Sequence, residues 1–272
     1  MNVEFRTDIN ELRPPNKVKF NLVGAKLPNN NDIYYRAKQK ELIDQYSGAR
    51  LFLNETGTDD WTHWYQKIED KTAKKAFKTI FSGYFYEAAL FFYNAVVDLS
   101  WTITYVAVEF ACSKKGSRLD ISGIKPIEEA ATLLRAVENN ITSPTAEDNP
   151  FGYLKAMCPE FSDAIDKIIS FWNQFGSSNI RKKYNYCKHK GKPGYTELEV
   201  LDNTKLMGIY FQDKESGNMV EMASDTKDVK YKYSLEEGVE ELRRFDDEVL
   251  FPYVKDLMNE LERVLKPSPM MF

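Results

Sequence analysis

Residues 77–112, FKTIFSGYFYEAALFFYNAVVDLSWTITYVAVEFAC, decide the fold. Phe77, Phe81, Tyr84, Ala88, Phe91, Ala95, Leu99, Ile103 and Val106 recur every three or four residues, the spacing of one face of an α-helix. A second apolar set, Ile80, Phe85, Phe92, Val96 and Tyr105, widens that face, so the helix is expected to be central. Glu87, Asn94, Asp98 and Glu109 interrupt it, and the longest unbroken apolar run, Ala88–Tyr93, is far below the roughly 20 residues of a membrane span. The spacing predicts a buried core helix and no membrane partner.

Working outward, Pro14, Pro15, Pro28 and Asn29 to Asn31 make residues 1–34 an expected loose arm, with a short strand at Lys17–Val23. A helix is expected over Ile33–Tyr46. Asp59 or Asp60 is placed to cap another that runs to about Thr79, because Asp accepts hydrogen bonds from the free amides of a first turn. Beyond the central helix, Gly116 is a stop and Pro126 opens a helix over Ile127–Asn139, followed by a polar loop to Pro150. Phe161, Ile165, Ile168, Ile169, Trp172 and Phe175 are again helical in spacing. Gly176–Ser177–Ser178 predicts a kink or break, after which the helix resumes through Ile180, Tyr184 and Cys187 and ends at Gly191–Gly194.

The period then changes. Leu206–Gln212 and Met219–Ala223, joined by a polar turn, predict a hairpin, and Val229–Tyr233 a third strand. Ser234 followed by Glu237 is the sequence of a capping box, opening a last helix to about Lys266. The expected class is mainly α, a helical bundle with long central helices plus a small C-terminal β-hairpin or meander. One domain is expected over 1–272, with its bundle core in 60–195, an insertion at 196–233 and a final helix at 234–266.

The chain has 272 residues, 43% hydrophobic and 29% charged, a globular composition rather than a disordered one. Its 17 Phe and 16 Tyr predict an aromatic-rich core. A net charge of −4 argues against a uniformly basic nucleic-acid binder, although not against a local basic patch. Cys112, Cys158 and Cys187 are too few and odd in number for a secreted disulfide framework, and the opening MNVEFRTDINELRPP lacks a signal-peptide pattern. A cytoplasmic location is expected.

There are two histidines, His63 and His189. Cys187 and His189 are too close for ordinary paired zinc ligands, and no Cys-x-x-Cys accompanies them, so no metal and no cofactor are expected. Phosphate-loop, dinucleotide and Ser-hydrolase signatures are missing from the sequence. His63, in an aromatic helix start, is expected to be a packing or capping residue. Residues 181–190 differ from their surroundings, with six basic-capable side chains in ten positions: Arg181, Lys182, Lys183, Lys188, His189 and Lys190, interleaved with Tyr184 and Tyr186. On a helix Arg181, Asn185, Lys188 and His189 fall on one side. A histidine beside cations can act as acid or base near neutral pH, and cations stabilise charge on a phosphoryl oxygen. Those are the parts of a metal-free ribonuclease, in which the ribose 2′-hydroxyl is the nucleophile. A solvated basic helix end, favourable to the helix dipole, is the plainer alternative.

Asn185–Tyr186–Cys187–Lys188–His189, after an amphipathic helix and before Lys190–Gly191–Lys192–Pro193, resembles the Asn-x-x-Lys-His form of the motif in the HEPN superfamily. Tyr93–Trp101 looks like the preceding long helix of such bundles, and the resemblance covers residues 60–195. It implies a small helical bundle, often a metal-independent ribonuclease of a toxin–antitoxin, abortive-infection or other defence system, with the active site formed across a homodimer. His189 would be the catalytic histidine and Asn185 the polar residue of the motif. Where the family has its arginine this chain has Tyr184, and a phenol cannot clamp a phosphate as a guanidinium does. Arg181, one turn earlier, would have to substitute, with Lys188, Lys182, Lys183, Lys190 and Tyr184 as RNA- or phosphate-binding residues. Two readings stay open: an RNA-directed protein, cleaving or inactive, and a non-enzymatic interaction or dimerisation protein. Nucleotide binding within the bundle is a third, without a phosphate loop to support it.

Overall fold

A computed structural model describes residues 3–12, 29–59, 61–111, 150–199, 209–222 and 231–265. Helix α1 spans Asn29–Glu55 and α2 spans Lys71–Ala111, 41 residues in one piece. Asp70 opens α2 by accepting from the Ala73 amide at 2.7 Å. The expected helix from Asp59 or Asp60 to Thr79 is therefore divided: residues 56–59 and 61–70 are turns and irregular backbone with one 3-10 turn, Thr62–Trp64. Its aromatics pin the connection instead of forming a helical face. Trp61 is buried against Phe81 and Phe85, and its indole N–H donates to the Glu55 carbonyl at 3.1 Å. Helix α1 starts before Ile33 and outruns Tyr46 by nine residues.

The two long helices run antiparallel, since Tyr46 meets Tyr93, Phe52 meets Phe85, and Ser82 donates to the Thr56 carbonyl. Gly48 lets them approach closely; a Cβ there would lie 2.9 Å from the Phe92 ring. Over Lys71–Val108, α2 is long and apolar enough to cross a membrane by length and composition, but 67% of its most apolar stretch is buried. Leu90, Tyr93, Val96 and Val97 lie inside the core cluster.

Around that hairpin pack α3 (Pro150–Met157), α4 (Ser162–Phe175), α5 (Asn179–His189), α6 (Leu235–Phe245) and α7 (Phe251–Leu265). A π turn, Asp246–Leu250, joins α6 to α7 into one long rod. All seven contribute to one apolar cluster, so the core extends beyond residues 60–195 to α1 and the C-terminal rod. The Phe171 and Tyr253 rings stack at 3.9 Å where α4 meets α7. The architecture is mainly α, as its periodicity predicts.

The expected hairpin is present as β2 (Ile209–Gln212) antiparallel to β3 (Met219–Met222). The expected third strand does not extend it. Strand β4, Lys232–Tyr233, pairs instead in parallel with β1, Gly194–Tyr195, just after α5. Tyr195 fixes this small sheet on α2: a Cβ at Gly83 would lie 2.4 Å from its ring, and its hydroxyl donates to Glu87 at 2.7 Å. Ser234 caps α6 by accepting from Glu237 N, as expected, and the amides of Leu235 and Glu236 donate to Glu197 from the preceding loop. Burial alone would raise the Glu197 carboxyl, but these amides and the Ser234 hydroxyl bring it below the usual range. The Lys17–Val23 strand, the Gly116 stop, the Ile127–Asn139 helix and the loop to Pro150 lie outside the described residues.

At the centre, the fully buried Asp246 carboxylate accepts from Arg50 Nε at 2.9 Å, from Arg50 Nη2, from the Tyr46 hydroxyl at 3.0 Å and from the Tyr93 hydroxyl. Asp247 beside it accepts from Arg6 N, Thr7 Oγ1 and Arg243 Nη1, which ties the N-terminal segment to the rod. Arg50→Ala strands a buried charge and is expected to cost about 3–5 kcal/mol in urea unfolding. The double change Arg50→Met with Asp246→Leu should cost less than the single one. A single-variant loss below about 1 kcal/mol would show that the ion pair does not hold the helices together.

Candidate nucleic-acid interface

The break between α4 and α5 is built locally. Gly176 N–H donates to the Trp172 carbonyl at 2.8 Å, and Ser178 restarts the helix by accepting from Arg181 N at 3.2 Å. Helix α5 ends where Gly191 adopts φ +109°, with the amides of Lys190 and Gly191 both donating to the Tyr186 carbonyl. That backbone conformation suits glycine.

Packing sorts the basic side chains of α5 into two groups. Arg181 turns inward to α2, donating from Nη1 to Asn94 Oδ1 at 2.9 Å, with its guanidinium 5.0 Å from the Tyr184 ring and 5.4 Å from the Trp172 ring. Lys183 is buried on another side, bound to Glu241 of α6 and 4.5 Å from the Tyr233 ring. The expectation that Lys183 helps to bind phosphate fails, because its ammonium is already neutralised and enclosed. Tyr184 is also buried, edge-on to Phe91 at 5.2 Å, so it forms a wall and does not reach toward a phosphate.

The other residues face solvent. Lys182, Asn185, His189 and Lys190 are exposed, and among the described residues none of their side chains has a hydrogen bond or ion pair. Lys182, Asn185 and His189 fall within about 60° of one another around the helix. Lys188 is exposed with its ammonium 5.7 Å from the Tyr184 ring. On α2, Asp98 faces the same seam: desolvation raises its carboxyl, and the charges of Arg181 and Lys188 oppose that rise without cancelling it.

Sequence spacing did not reveal two neighbours. Tyr231, brought here by the β1–β4 pairing, donates its amide to the Tyr186 hydroxyl at 3.2 Å and lays its partly exposed ring 5.3 Å from Tyr186. Asp98, read above as an interruption in an apolar run, joins the cationic side of α5. An open groove of about 280 Å³ lies beside them, lined by Gln45, Phe91, Phe92, Ala95, Asp98 and Tyr184.

His63 is exposed in the 3-10 turn, its ring 5.5 Å from that of Trp64, and it caps no helix. Among the described residues no three His, Cys, Asp or Glu side chains are grouped to hold a metal ion. Burial pushes the free Cys187 thiol up to about 11, which disfavours the thiolate a nucleophile requires. Cys158 is disulfide-bonded, which the sparse cysteine count did not suggest.

Compared with family models, curated proteins and solved structures, the chain matches none.

The sorting of charges has a measurable consequence. Lys183→Met is expected to lower stability by about 1 kcal/mol or more, because it strands Glu241 in a partly buried site. Lys182→Met, Asn185→Ala and His189→Ala should each stay within about 0.5 kcal/mol in thermal melts. Equal losses across all four would contradict the division of α5 into bonded and free sides.

Proposed function

We propose that the solvent-facing side of α5 is an RNA-directed surface of the HEPN kind. His189 acts there as acid or base, and Lys182, Lys188 and Lys190 hold the phosphates. The observation that supports this most is the unengaged state of the side chains of Lys182, Asn185, His189 and Lys190, spread along the solvent-facing side of α5. Elsewhere in the fold charges of this kind are widely paired, as Arg50, Arg243 and Lys255 are. A group of unpaired cations around an imidazole is suited to an incoming polyanion.

The chemistry would need no metal or cofactor. His189 would take the proton of a ribose 2′-hydroxyl, whose oxygen attacks the adjacent phosphorus. Lysines would stabilise the developing negative charge, and as the P–O5′ bond breaks the leaving 5′-oxygen would take a proton from solvent water. Arg181 would serve as a positioning residue, since its guanidinium is held by Asn94 and aromatic rings. A role in defence, a homodimer and a cytoplasmic location belong to the same reading.

A second reading has its own support. Phe77, Tyr84 and Phe91 recur at seven-residue spacing along α2 and are 43%, 53% and 39% exposed, a stripe suited to packing against another helix. With Tyr184 at the arginine position, such a protein would bind partners without cleaving RNA.

Incubation of purified protein with labelled single-stranded RNA in excess chelator separates the two. The proposal expects cleavage that falls about 10²–10⁴-fold in His189→Ala. Salt-sensitive binding without cleavage would indicate an inactive, RNA-binding form. Neither cleavage nor binding at low salt would overturn the proposal and leave the interaction reading.

A further inference from the structure

The groove beside α5 has a composition that the cleavage chemistry does not use. It lies where α1, α2 and α5 meet, with Ala95 leaving room among the rings of Phe91, Phe92 and Tyr184. Phe91 is 39% exposed and held edge-on by Tyr184, so an aromatic surface faces the opening. The lining has two groups able to make strong hydrogen bonds away from its rings, the Gln45 amide and the Asp98 carboxylate. No described residue donates a hydrogen bond to that carboxylate, although Arg181 and Lys188 lie near enough to act on its charge.

An ionised carboxylate only accepts hydrogen bonds, so it selects a ligand edge with N–H donors. Flat aromatic walls select a flat ring. Guanine presents its ring N–H and its amino group side by side, matching the two oxygens of one carboxylate. Uracil has one ring donor, and adenine and cytosine present an amino group alone on that edge. A partner's arginine would also pair with Asp98, but Arg181, Lys182, Lys188 and Lys190 make the rim unfavourable to a second cation. The Lys188 ammonium lies 5.7 Å from the Tyr184 ring, near enough to the groove to meet the phosphate of a nucleotide whose base occupies it.

Resting on the RNA-directed reading, we infer that this groove is a base-selective subsite for guanine in single-stranded RNA, with Asp98 reading the base edge, the exposed Phe91 ring stacking on it, Tyr184 backing that ring edge-on, and Lys188 taking the phosphate of the nucleotide. Asp98 is then a specificity-determining residue.

Calorimetric titration with guanosine, inosine and uridine 5′-monophosphates tests it. Guanosine monophosphate should bind about tenfold or more tightly than the other two, since inosine lacks only the amino group. Asp98→Asn should remove that preference. Ala95→Leu, which fills the groove, should weaken guanosine monophosphate most. Lys188→Met should weaken all three alike and keep the order. Thermal melts of each variant establish that it is folded. Equal affinities for the three nucleotides, or a preference unchanged by Asp98→Asn in a folded protein, would overturn the subsite. So would competition by free arginine stronger than that by guanosine monophosphate. If RNA is still cleaved or bound in a His189-dependent way, the RNA-directed reading survives that failure. Loss of all nucleotide and RNA binding would end both.

Discussion

The rest of the structure depends on one buried carboxylate. Asp246 is fully enclosed, and its cost of desolvation is offset by hydrogen bonds from Arg50 and Tyr46 of α1 and Tyr93 of α2. Burial and the neighbouring carboxylate both push the Tyr46 and Tyr93 hydroxyls well above their ordinary range, so they remain protonated donors. An ion pair of this kind is a weak source of net stability but discriminates strongly against misplaced helices, because any other register leaves a charge unpaired. The π turn serves the same end. In a regular helix, successive residues are turned by about 100°, and the widened turn lets Asp246 and Asp247 both face inward.

From that hub the constraint reaches α5 through its neighbours. The rod that carries Asp246 also carries Glu241, which takes Lys183, and the helix that carries Tyr93 also carries Asn94, which takes Arg181. Two cations of the basic segment are thereby used to seat α5, and four side chains around His189 are left to solvent. The same packing brings Tyr184 and Phe91 together and opens the groove beside Asp98. Seating and exposure are two outcomes of one arrangement.

Much of this was legible in the residues. The three- to four-residue spacing of 77–106 marked α2 as central, Gly176–Ser178 marked the break before α5, and Ser234 with Glu237 marked the start of the C-terminal rod. Periodicity says which face is apolar, however, and not what that face meets. Asp59 looked like a cap because its residue type is right, but Trp61 binds back to Glu55 and keeps the helix from starting until Asp70. Val229–Tyr233 looked like part of a meander, whereas β4 pairs in parallel with β1, a long-range choice that local pattern does not encode. In the basic segment, composition marked a helix that does carry exposed cations, and Lys183 and Tyr184 are taken up by partners far away in sequence.

His189 stands exposed and unbonded on the side of α5 proposed to meet a polyanion, whereas His63 lies in the 3-10 turn beside Trp64. With two histidines in the chain, imidazole proton resonances can be assigned by single substitutions and followed as single-stranded RNA is added at fixed pH and low salt. Saturable shifts of the His189 resonances, reversed by salt, are expected, with those of His63 unchanged. Movement of His63 alone, or of neither ring at saturating RNA, would contradict the RNA-directed reading.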